Sequence, residues 1–284
     1  MADCESCIRG TIHKGDPIGV EEQVHGLNTY IVGNRTNPRA IIVIYPDAFG
    51  RNLINNFLIA DAYAKSGDYL VYMPDFYEGD AASLSLADLA IPVDASKLSS
   101  FSKYTGLLMA LPTFIMFLSR HGAAKSERVT NEFLAKLRKA TPKEQKIGIV
   151  GFCFGGKYAM IAGLGRNKIS LDGNESDKVP LVDAVVALHP SNLSLPADAE
   201  DIIVPLSIGW GKEDSSAKIE LMGKVQELHK KAAAAGKQVP EVEHKVYVPG
   251  RHGFAVRGNP DDPAEKKCLE DSVTQVLDWF KKWL

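Results

Sequence analysis

The sequence predicts an α/β fold in which helices flank a mainly parallel central sheet. Uninterrupted apolar runs of strand length occur at 40–45 and 69–73, as expected for strands that are buried on both faces. Segments with helical periodicity alternate with such runs, which favours parallel strands joined by helices. With 284 residues, 45% hydrophobic content and no evident linker, the chain is predicted to be one domain over 1–284.

The elements before residue 76 are predicted from these patterns in chain order. They are antiparallel opening strands at 10–15 and 24–32, a buried strand at 40–45, a helix at 52–66 and a buried strand at 69–73. After residue 125 the predicted elements are a helix at 126–140, a strand from 147 followed by a helix, strands at 182–188 and 202–211, a helix at 215–236, a strand at 242–248 and a final helix at 262–284.

Residues 76–125 begin irregularly and end in an apolar run at 106–118. A membrane span needs about 20 apolar residues, and this run is shorter and contains Pro112, so no span is predicted. The segment is interpreted either as a lid inserted over a catalytic site or as a helix packed on the sheet. As a lid it would place Phe114 and Phe117 against substrate, and alanine at either position would then alter substrate preference more than folding.

An apolar strand at 147–152 leads directly into Cys153, which Gly151 and Gly155 flank at two residues on either side. A nucleophile on a sharp strand-to-helix turn needs small residues at those two places, so the pattern indicates a nucleophile elbow with sulfur in place of oxygen. Glycines after a strand also open nucleotide-binding crossovers, and a free cysteine is often simply buried. The Gly-x-Gly-x-x-Gly pattern of a dinucleotide-binding site, however, does not occur in this stretch.

A nucleophile on such an elbow requires an acid and then a histidine, each further along the chain. Asp214 follows the strand predicted at 202–211 and is the candidate acid. It would alternatively cap the helix that begins near Ser215, and Glu213 is the substitute if the loop turns differently.

His252 lies in a glycine-bounded loop after the strand predicted at 242–248 and is the candidate base. His189 competes with it because it also ends an apolar strand. The other five histidines either precede the elbow or lie within a predicted helix or strand.

The composition limits which kinds of partner are expected for the protein. Lys and Arg number 33 against 35 Asp and Glu, a net charge of −2, so neither nucleic acid nor an anionic membrane is predicted as a partner.

The first residues lack the basic and apolar stretches of a signal peptide, which predicts a cytoplasmic location. Cys4 and Cys7 have the spacing of half a zinc site, but no second pair completes it, so no metal is predicted, and no cofactor. Cys268 is predicted to be a small packed residue.

The chain resembles the dienelactone hydrolase family of α/β-hydrolases over roughly residues 25–284. The resemblance rests on Gly-Phe-Cys-Phe-Gly-Gly at the elbow, Gly-Lys-Glu-Asp ending at 214, Tyr-Val-Pro-Gly-Arg-His-Gly-Phe ending at 254, and Ile-Tyr-Pro-Asp-Ala-Phe-Gly-Arg-Asn over 44–52. It implies an α/β-hydrolase fold. It also implies a catalytic group in which Cys153 is the nucleophile, His252 the base and Asp214 the acid that orients the base. Four further roles are implied: backbone donors to the oxyanion at Ala48 and Phe154, a group that engages the resting thiol at Asp47, and a clamp for a substrate carboxylate at Arg257. In the family the residue at the Asp47 position is a glutamate, one methylene longer.

The resemblance implies hydrolysis of a small ester or lactone through a thioester on Cys153. Cleavage of a thioester or a lactam on the same three residues is the alternative within enzymes. A non-catalytic protein that uses the same fold to hold a ligand is the alternative outside them. The oligomeric state is left as monomer or homodimer.

Overall fold

A computed structural model describes residues 15–84 and 99–284. In chain order, the strands within these residues are β1 (Val20–Val24), β2 (Leu27–Gly33), β3 (Ile41–Tyr45), β4 (Leu70–Pro74), β5 (Ile147–Phe152), β6 (Lys168–Ile169), β7 (Val179–Pro180), β8 (Ala184–Leu188), β9 (Leu206–Gly211) and β10 (Val242–Tyr247). Eight of these described strands form one sheet in the spatial order β1-β2-β4-β3-β5-β8-β9-β10. β2 is antiparallel to β1 and β4, and the strands from β4 to β10 in this order run parallel, which confirms the predicted fold class.

Helices cover both faces of this sheet. They are α1 (Ile54–Gly67), α2 (Ser100–Arg120), α3 (Ala123–Ala140), α4 (Phe154–Ala162), α5 (Glu220–Ala234), α6 (Phe254–Arg257) and α7 (Pro263–Trp283). Side chains of β3 alternate between two apolar layers: Val43 joins the layer that contains Phe133 of α3, and Ile44 joins the layer that contains Phe280 of α7. Because both faces are covered, the buried strands have the continuous apolar runs seen in the sequence.

The opening hairpin differs from its prediction. β1 pairs with β2 through a turn at His25 and Gly26, inside the segment predicted as the second strand. All but the last residue of β1 are exposed, and Glu21 and Glu22 stand in it, so it lacks the apolar alternation that marks a half-buried strand. Of the strand predicted at 10–15, residues 10–14 lie outside the described residues.

The apolar run of the predicted lid forms α2, which the Ser99 side chain caps by accepting from the Ser102 N–H at 3.1 Å. One face of α2 is buried at Ala110 and Phe117. The opposite face exposes large apolar side chains, among them Phe101, Tyr104, Met109, Ile115 and Met116. Residues 85–98 of the predicted lid lie outside the described residues, and a moving lid stays a prediction.

No single helix within 15–84 and 99–284 is both long and apolar enough to cross a membrane. Only the pair Tyr104–Arg120 and Ala123–Ala140, bent by 54°, reaches that length and composition jointly.

Candidate active site

The turn at Cys153 has the geometry of a nucleophile elbow. β5 ends at Phe152 and α4 begins at Phe154, so Cys153 alone makes the turn, with φ 52° and ψ −116°. A Cβ on Gly151 would lie 2.3 Å from the Gly155 carbonyl oxygen, and a Cβ on Gly155 would lie 2.3 Å from the Tyr45 carbonyl oxygen. Any side chain at these two positions would collide with backbone. A positive φ at a non-glycine residue costs about 1–3 kcal/mol and is typical of functional sites.

His252 meets the sulfur of this elbow. Its Nε2 lies 3.0 Å from the Cys153 Sγ, and its Nδ1 lies 2.9 Å from each carboxylate oxygen of Asp214. The three side chains follow β5, β9 and β10, whose parallel register brings their carboxyl ends to one edge of the sheet. The structure therefore brings together the three residues that the sequence placed at successive strand ends.

Asp214 combines the two interpretations that the sequence left open. Its Oδ1 accepts from the Ser216 N–H at 2.8 Å and the Ala217 N–H at 2.7 Å, so it also caps a turn. That turn precedes α5, which begins at Glu220 rather than near Ser215. The alternative acid, Glu213, is turned outward and forms an ion pair with Arg251 at 3.7 Å.

The charges of this group are coupled. Burial acts to lower the pKa of His252, but the Cys153 sulfur and the Asp214 carboxylate outweigh it and raise that pKa to about 10. Burial acts to raise the pKa of Asp214, but its hydrogen bonds from His252 and from the Ala217 N–H lower it overall. His252 therefore holds a proton more tightly than an ordinary histidine, and Asp214 gives up its proton more readily than an ordinary aspartate.

His189, the competing histidine, lies behind this pair. Its ring meets the His252 ring edge-on, with the centroids 5.2 Å apart, and also packs against Phe254 at 5.1 Å. The side chain is fully buried, and neither ring nitrogen has a hydrogen-bond partner among the described residues. Burial and the neighbouring His252 lower the pKa of His189 to about 3, so this ring is neutral.

Of the residues proposed to bind an oxyanion, one follows Cys153 in the chain and the other lines the same cavity as Cys153. Phe154 is the first residue of α4, so its backbone N–H belongs to the first-turn donors that no helix carbonyl accepts. Ala48 follows β3 and lines the cavity in front of Cys153.

Asp47 is turned into the loop between β3 and α1. Its Oδ1 accepts from the Phe49 N–H at 3.2 Å and from the Asn56 amide at 3.1 Å. Burial raises the pKa of this carboxyl to about 6. The Cys153 thiol pairs with His252 and, at 3.5 Å, with the Ser191 hydroxyl, so the contacts of Asp47 are those of a residue that holds its loop.

A cavity of about 320 Å³ opens onto the sulfur. Its apolar side is formed by Phe49, Ala82, Ala110, Leu111, Phe114 and Leu118. Hydroxyl and amide groups of Ser191, Asn192, Ser215 and Ser216 face it, together with Cys153 and His252. Small, largely apolar cavities with a few polar groups at one point are typical of small-molecule sites.

The three residues predicted to contact substrate lie in three different environments. Phe114 lines the cavity and is 38% exposed, as a wall residue would be. Phe117 is buried instead, packed between Phe154 and His121 with ring centroids at 5.4 and 4.7 Å. The Arg257 guanidinium stacks on the Phe49 ring at 5.2 Å, one layer behind the described cavity wall.

Ser191 is a site residue that the sequence reasoning missed. It follows β8, the neighbour of β5 in the sheet, so its position after a strand end was the available signal. The same strand end carries His189, and ligand atoms of Cys153, His189 and His252 all lie within 4.8 Å of one another, a set that can hold a metal ion. Cys4 and Cys7 lie outside the described residues, and Cys268 is buried with its thiol donating to the Val248 carbonyl.

Known proteins resemble this chain over most of its length. The model of the "Dienelactone hydrolase family" matches residues 27–284. The chain is 28% identical to hydrolase pyvD of Aspergillus violaceofuscus, covering 99% of this chain and 96% of the relative. It is 24% identical to dienlactone hydrolase 1 of Gibberella moniliformis (98% and 93% covered) and to the human carboxymethylenebutenolidase homolog (94% and 92% covered).

Solved structures resemble the chain in fold. The crystal structure of a putative dienelactone hydrolase from Klebsiella pneumoniae superposes with a TM-score of 0.59 at 18% identity, covering 94% of this chain and 99% of that one. The dienelactone hydrolase-like promiscuous phosphotriesterase P91 from metagenomic libraries gives 0.54 at 17% identity, with 94% and 97% covered. At these identities the likeness supports the α/β-hydrolase fold.

Proposed function

Because the chain belongs to the dienelactone hydrolase family and is a hydrolase of the ester- and lactone-cleaving kind, we propose that it cleaves a small ester or lactone through a thioester on Cys153. The observation that carries the proposal is the 3.0 Å contact between the Cys153 Sγ and the His252 Nε2 at the inner end of the cavity. Asp214 supports it by holding the other nitrogen of the ring at 2.9 Å.

The resting pair is proposed to be a thiolate beside an imidazolium. A thiolate is the nucleophilic form of cysteine, and a neighbouring imidazolium stabilises it. The pKa of His252, raised to about 10, supports a protonated ring at neutral pH. Asp214 stabilises that positive charge and fixes the ring so that Nε2 faces the sulfur.

The reaction then has two halves. The Cys153 thiolate attacks the carbonyl carbon, and the resulting oxyanion is stabilised by the backbone N–H groups of Ala48 and Phe154, about 3–4 kcal/mol for each donor. The tetrahedral intermediate collapses to a thioester as His252 gives its Nε2 proton to the leaving alcohol, which stays attached if the substrate was a lactone. Neutral His252 then takes a proton from water, the hydroxide attacks the thioester, and the acid and the thiolate–imidazolium pair are released.

The cavity favours a small substrate with an apolar body. Its wall is apolar along α2, and the polar groups that line it within residues 15–84 and 99–284, apart from Cys153 and His252, are neutral hydroxyls and an amide. Arg257, which the family resemblance assigns to a substrate carboxylate, stacks on Phe49 behind this wall. We therefore expect neutral aryl esters and unsubstituted lactones to be better substrates than analogues that carry a carboxylate.

Replacing the sulfur tests the proposal. We expect Cys153→Ala to reduce kcat/KM for an aryl ester by at least about 10³-fold while the protein stays folded, because both acyl transfers require the sulfur. When wild-type turnover of the ester is quenched with acid, intact-mass spectrometry should find one added acyl group per chain, and peptide mass spectrometry should place it on the peptide that contains Cys153.

Matched variants separate catalysis from folding. Ser216→Ala changes a cavity residue that has no part in the proposed steps and should retain most of the turnover. Circular dichroism and thermal unfolding check that each variant is folded. A folded Cys153→Ala protein that keeps substantial turnover would refute catalysis by this sulfur.

A further inference from the structure

His189 has a feature that the proposed reaction does not explain. It is 0% exposed, yet both of its ring nitrogens are without a hydrogen-bond partner among the described residues. A neutral imidazole carries one donor and one acceptor, and leaving them unpaired in a buried place costs about 1–3 kcal/mol each. Such a group calls for a specific partner.

Two phenylalanine rings pack against His189 among the residues that the structure describes. Phe152 and Phe254 lie 6.3 and 5.1 Å from it, centroid to centroid, and neither offers a hydrogen bond. Toward the elbow, a ring nitrogen of His189 comes within 4.8 Å of both the Cys153 Sγ and a ring nitrogen of His252. One of the two unpaired nitrogens of His189 therefore belongs to a cluster with Cys153 and His252.

The dimensions of this cluster suit a zinc ion. Zinc binds thiolate at about 2.3 Å and imidazole at about 2.0–2.1 Å, so tetrahedral ligand atoms lie about 3.3–3.6 Å from one another. Here the Sγ and the His252 Nε2 are 3.0 Å apart, and no pair of ligand atoms exceeds 4.8 Å. Side-chain shifts of about 1 Å would bring all three into range. One sulfur and two imidazoles are the ligands that Zn²⁺ prefers over harder cations.

We propose that Cys153, His189 and His252 bind a zinc ion reversibly, and that this ion switches the enzyme off. Binding requires the His252 imidazolium to release its Nε2 proton to solvent, and the ion then occupies the lone pairs of the nucleophile and of the base. Water from the cavity, or the Ser191 hydroxyl that lines it 3.5 Å from the sulfur, is available as the fourth ligand. The expectation of no metal drawn from Cys4 and Cys7 does not bear on this cluster. The inhibition rests on the proposed role of Cys153, whereas the binding does not.

Direct metal binding tests the site apart from turnover. The full chain is freed of metal with a chelator, and Zn²⁺ is then titrated in competition with a chromogenic zinc indicator. We expect one equivalent to bind. Because loss of even a group that supports a ligand costs about 10–100-fold in affinity, His189→Asn should bind zinc at least about 100-fold more weakly. Asparagine suits this position because His189 has φ 41°, a conformation that asparagine tolerates.

Two controls define the ligands. His229 is also a buried histidine, but its Nε2 lies 2.8 Å from the Ala199 carbonyl oxygen and it is not part of the cluster. His229→Asn should therefore bind zinc like the wild type. With Co²⁺ in place of Zn²⁺, the wild type should show the intense visible bands of a tetrahedral site and a thiolate-to-metal band, which Cys153→Ser should lack. His189→Asn should turn over substrate without metal and resist inhibition by zinc.

Three results would overturn the site. The wild type could fail to take zinc from the indicator, or His189→Asn could bind zinc with the same affinity as the wild type. In nitrogen-15 spectra of the wild type, Zn²⁺ could shift the signals of only one histidine ring. The last measurement needs no variant to fold. Zinc binding together with full turnover by Cys153→Ala would refute the proposed hydrolysis and leave the metal site standing, whereas loss of turnover without zinc binding would do the reverse.

Discussion

At the scale of single residues, burial and the hydrogen-bond and charge partners of each ionisable group together set its pKa. His252 and His189 both lie at strand ends and both are buried, but only His252 has a carboxylate on one nitrogen and sulfur on the other. Those partners raise its pKa, whereas His189 meets aromatic rings and its pKa falls. Asp47 shows the same effect in a carboxyl group, since burial raises its pKa to about 6 in spite of hydrogen bonds from Asn56 and the Phe49 N–H.

Asp47→Asn should stabilise the protein above pH 6. A carboxyl group whose folded pKa is raised contributes stability that is complete below its unfolded pKa, 3.8, and is lost as pH rises through about 6. Asparagine stays neutral and still accepts the two hydrogen bonds, so the variant should gain up to about 3 kcal/mol in the free energy of unfolding at pH 7.5. The gain should shrink steadily toward pH 4.

Urea unfolding at several pH values measures this gain, and the exposed Asp261→Asn variant reports the effect of removing a surface charge. A constant difference between Asp47→Asn and the wild type across that range would contradict the argument. The same variant tests the role that the family resemblance assigns to Asp47: a residue that only holds its loop should leave the alkylation rate of Cys153 unchanged.

At the scale of elements, α2 belongs both to the core and to the cavity. Phe117 is 1% exposed and packs on the aromatic rings beneath the helix, whereas Phe114, one turn earlier, lines the cavity. The sequence could not separate these two residues, because a helix that is apolar nearly all round does not reveal which face packs. The packing of Phe117 on Phe154, the first residue of α4, couples α2 to the elbow.

Alanine at these two positions should give opposite results. Phe117→Ala removes a buried ring and should lower the free energy of unfolding by about 3–5 kcal/mol. Phe114→Ala should cost much less stability and enlarge the cavity, shifting the ratio of kcat/KM values toward esters with longer acyl chains. An ester series of increasing chain length, with urea unfolding of both variants, makes the comparison. An unchanged chain-length profile in Phe114→Ala would remove this residue from the substrate site.

At the scale of the molecule, part of the packing that stabilises the sheet lies at the end opposite to the site. Cys153 follows the carboxyl end of β5, whereas Phe280 of α7 packs against Gly148 near its start, where a Cβ would lie 2.7 Å from the ring. Five residues of strand separate these points by about 16 Å. A change at the Phe280 end of the sheet should therefore alter stability without altering the chemistry.

Phe280→Ala should be destabilising without affecting catalysis. Phe280 is 0% exposed, so its loss should cost about 3–5 kcal/mol of unfolding free energy, while kcat/KM per folded molecule stays unchanged at a temperature well below the transition. Phe101, 76% exposed on α2, is the matched control, and Phe101→Ala should change stability by less than about 0.5 kcal/mol. A fall in kcat/KM in the folded Phe280→Ala protein would indicate that the two ends of the sheet are coupled.

The parallel sheet, the elbow at Cys153 and the chain order Cys153, Asp214, His252 could all be predicted from the sequence. These follow from local rules: strands buried on both faces are continuously apolar, the elbow leaves no room for a Cβ at Gly151 or Gly155, and parallel strands end at one edge. The packing of the fold was needed to learn that Asp47 turns into its loop and that Phe117 is core while Phe114 is wall, and in it His252, the base favoured from the sequence, meets the sulfur while its competitor His189 does not. Each of those outcomes depends on the direction of a side chain relative to elements far away in the chain, and that direction is set when the layers pack together.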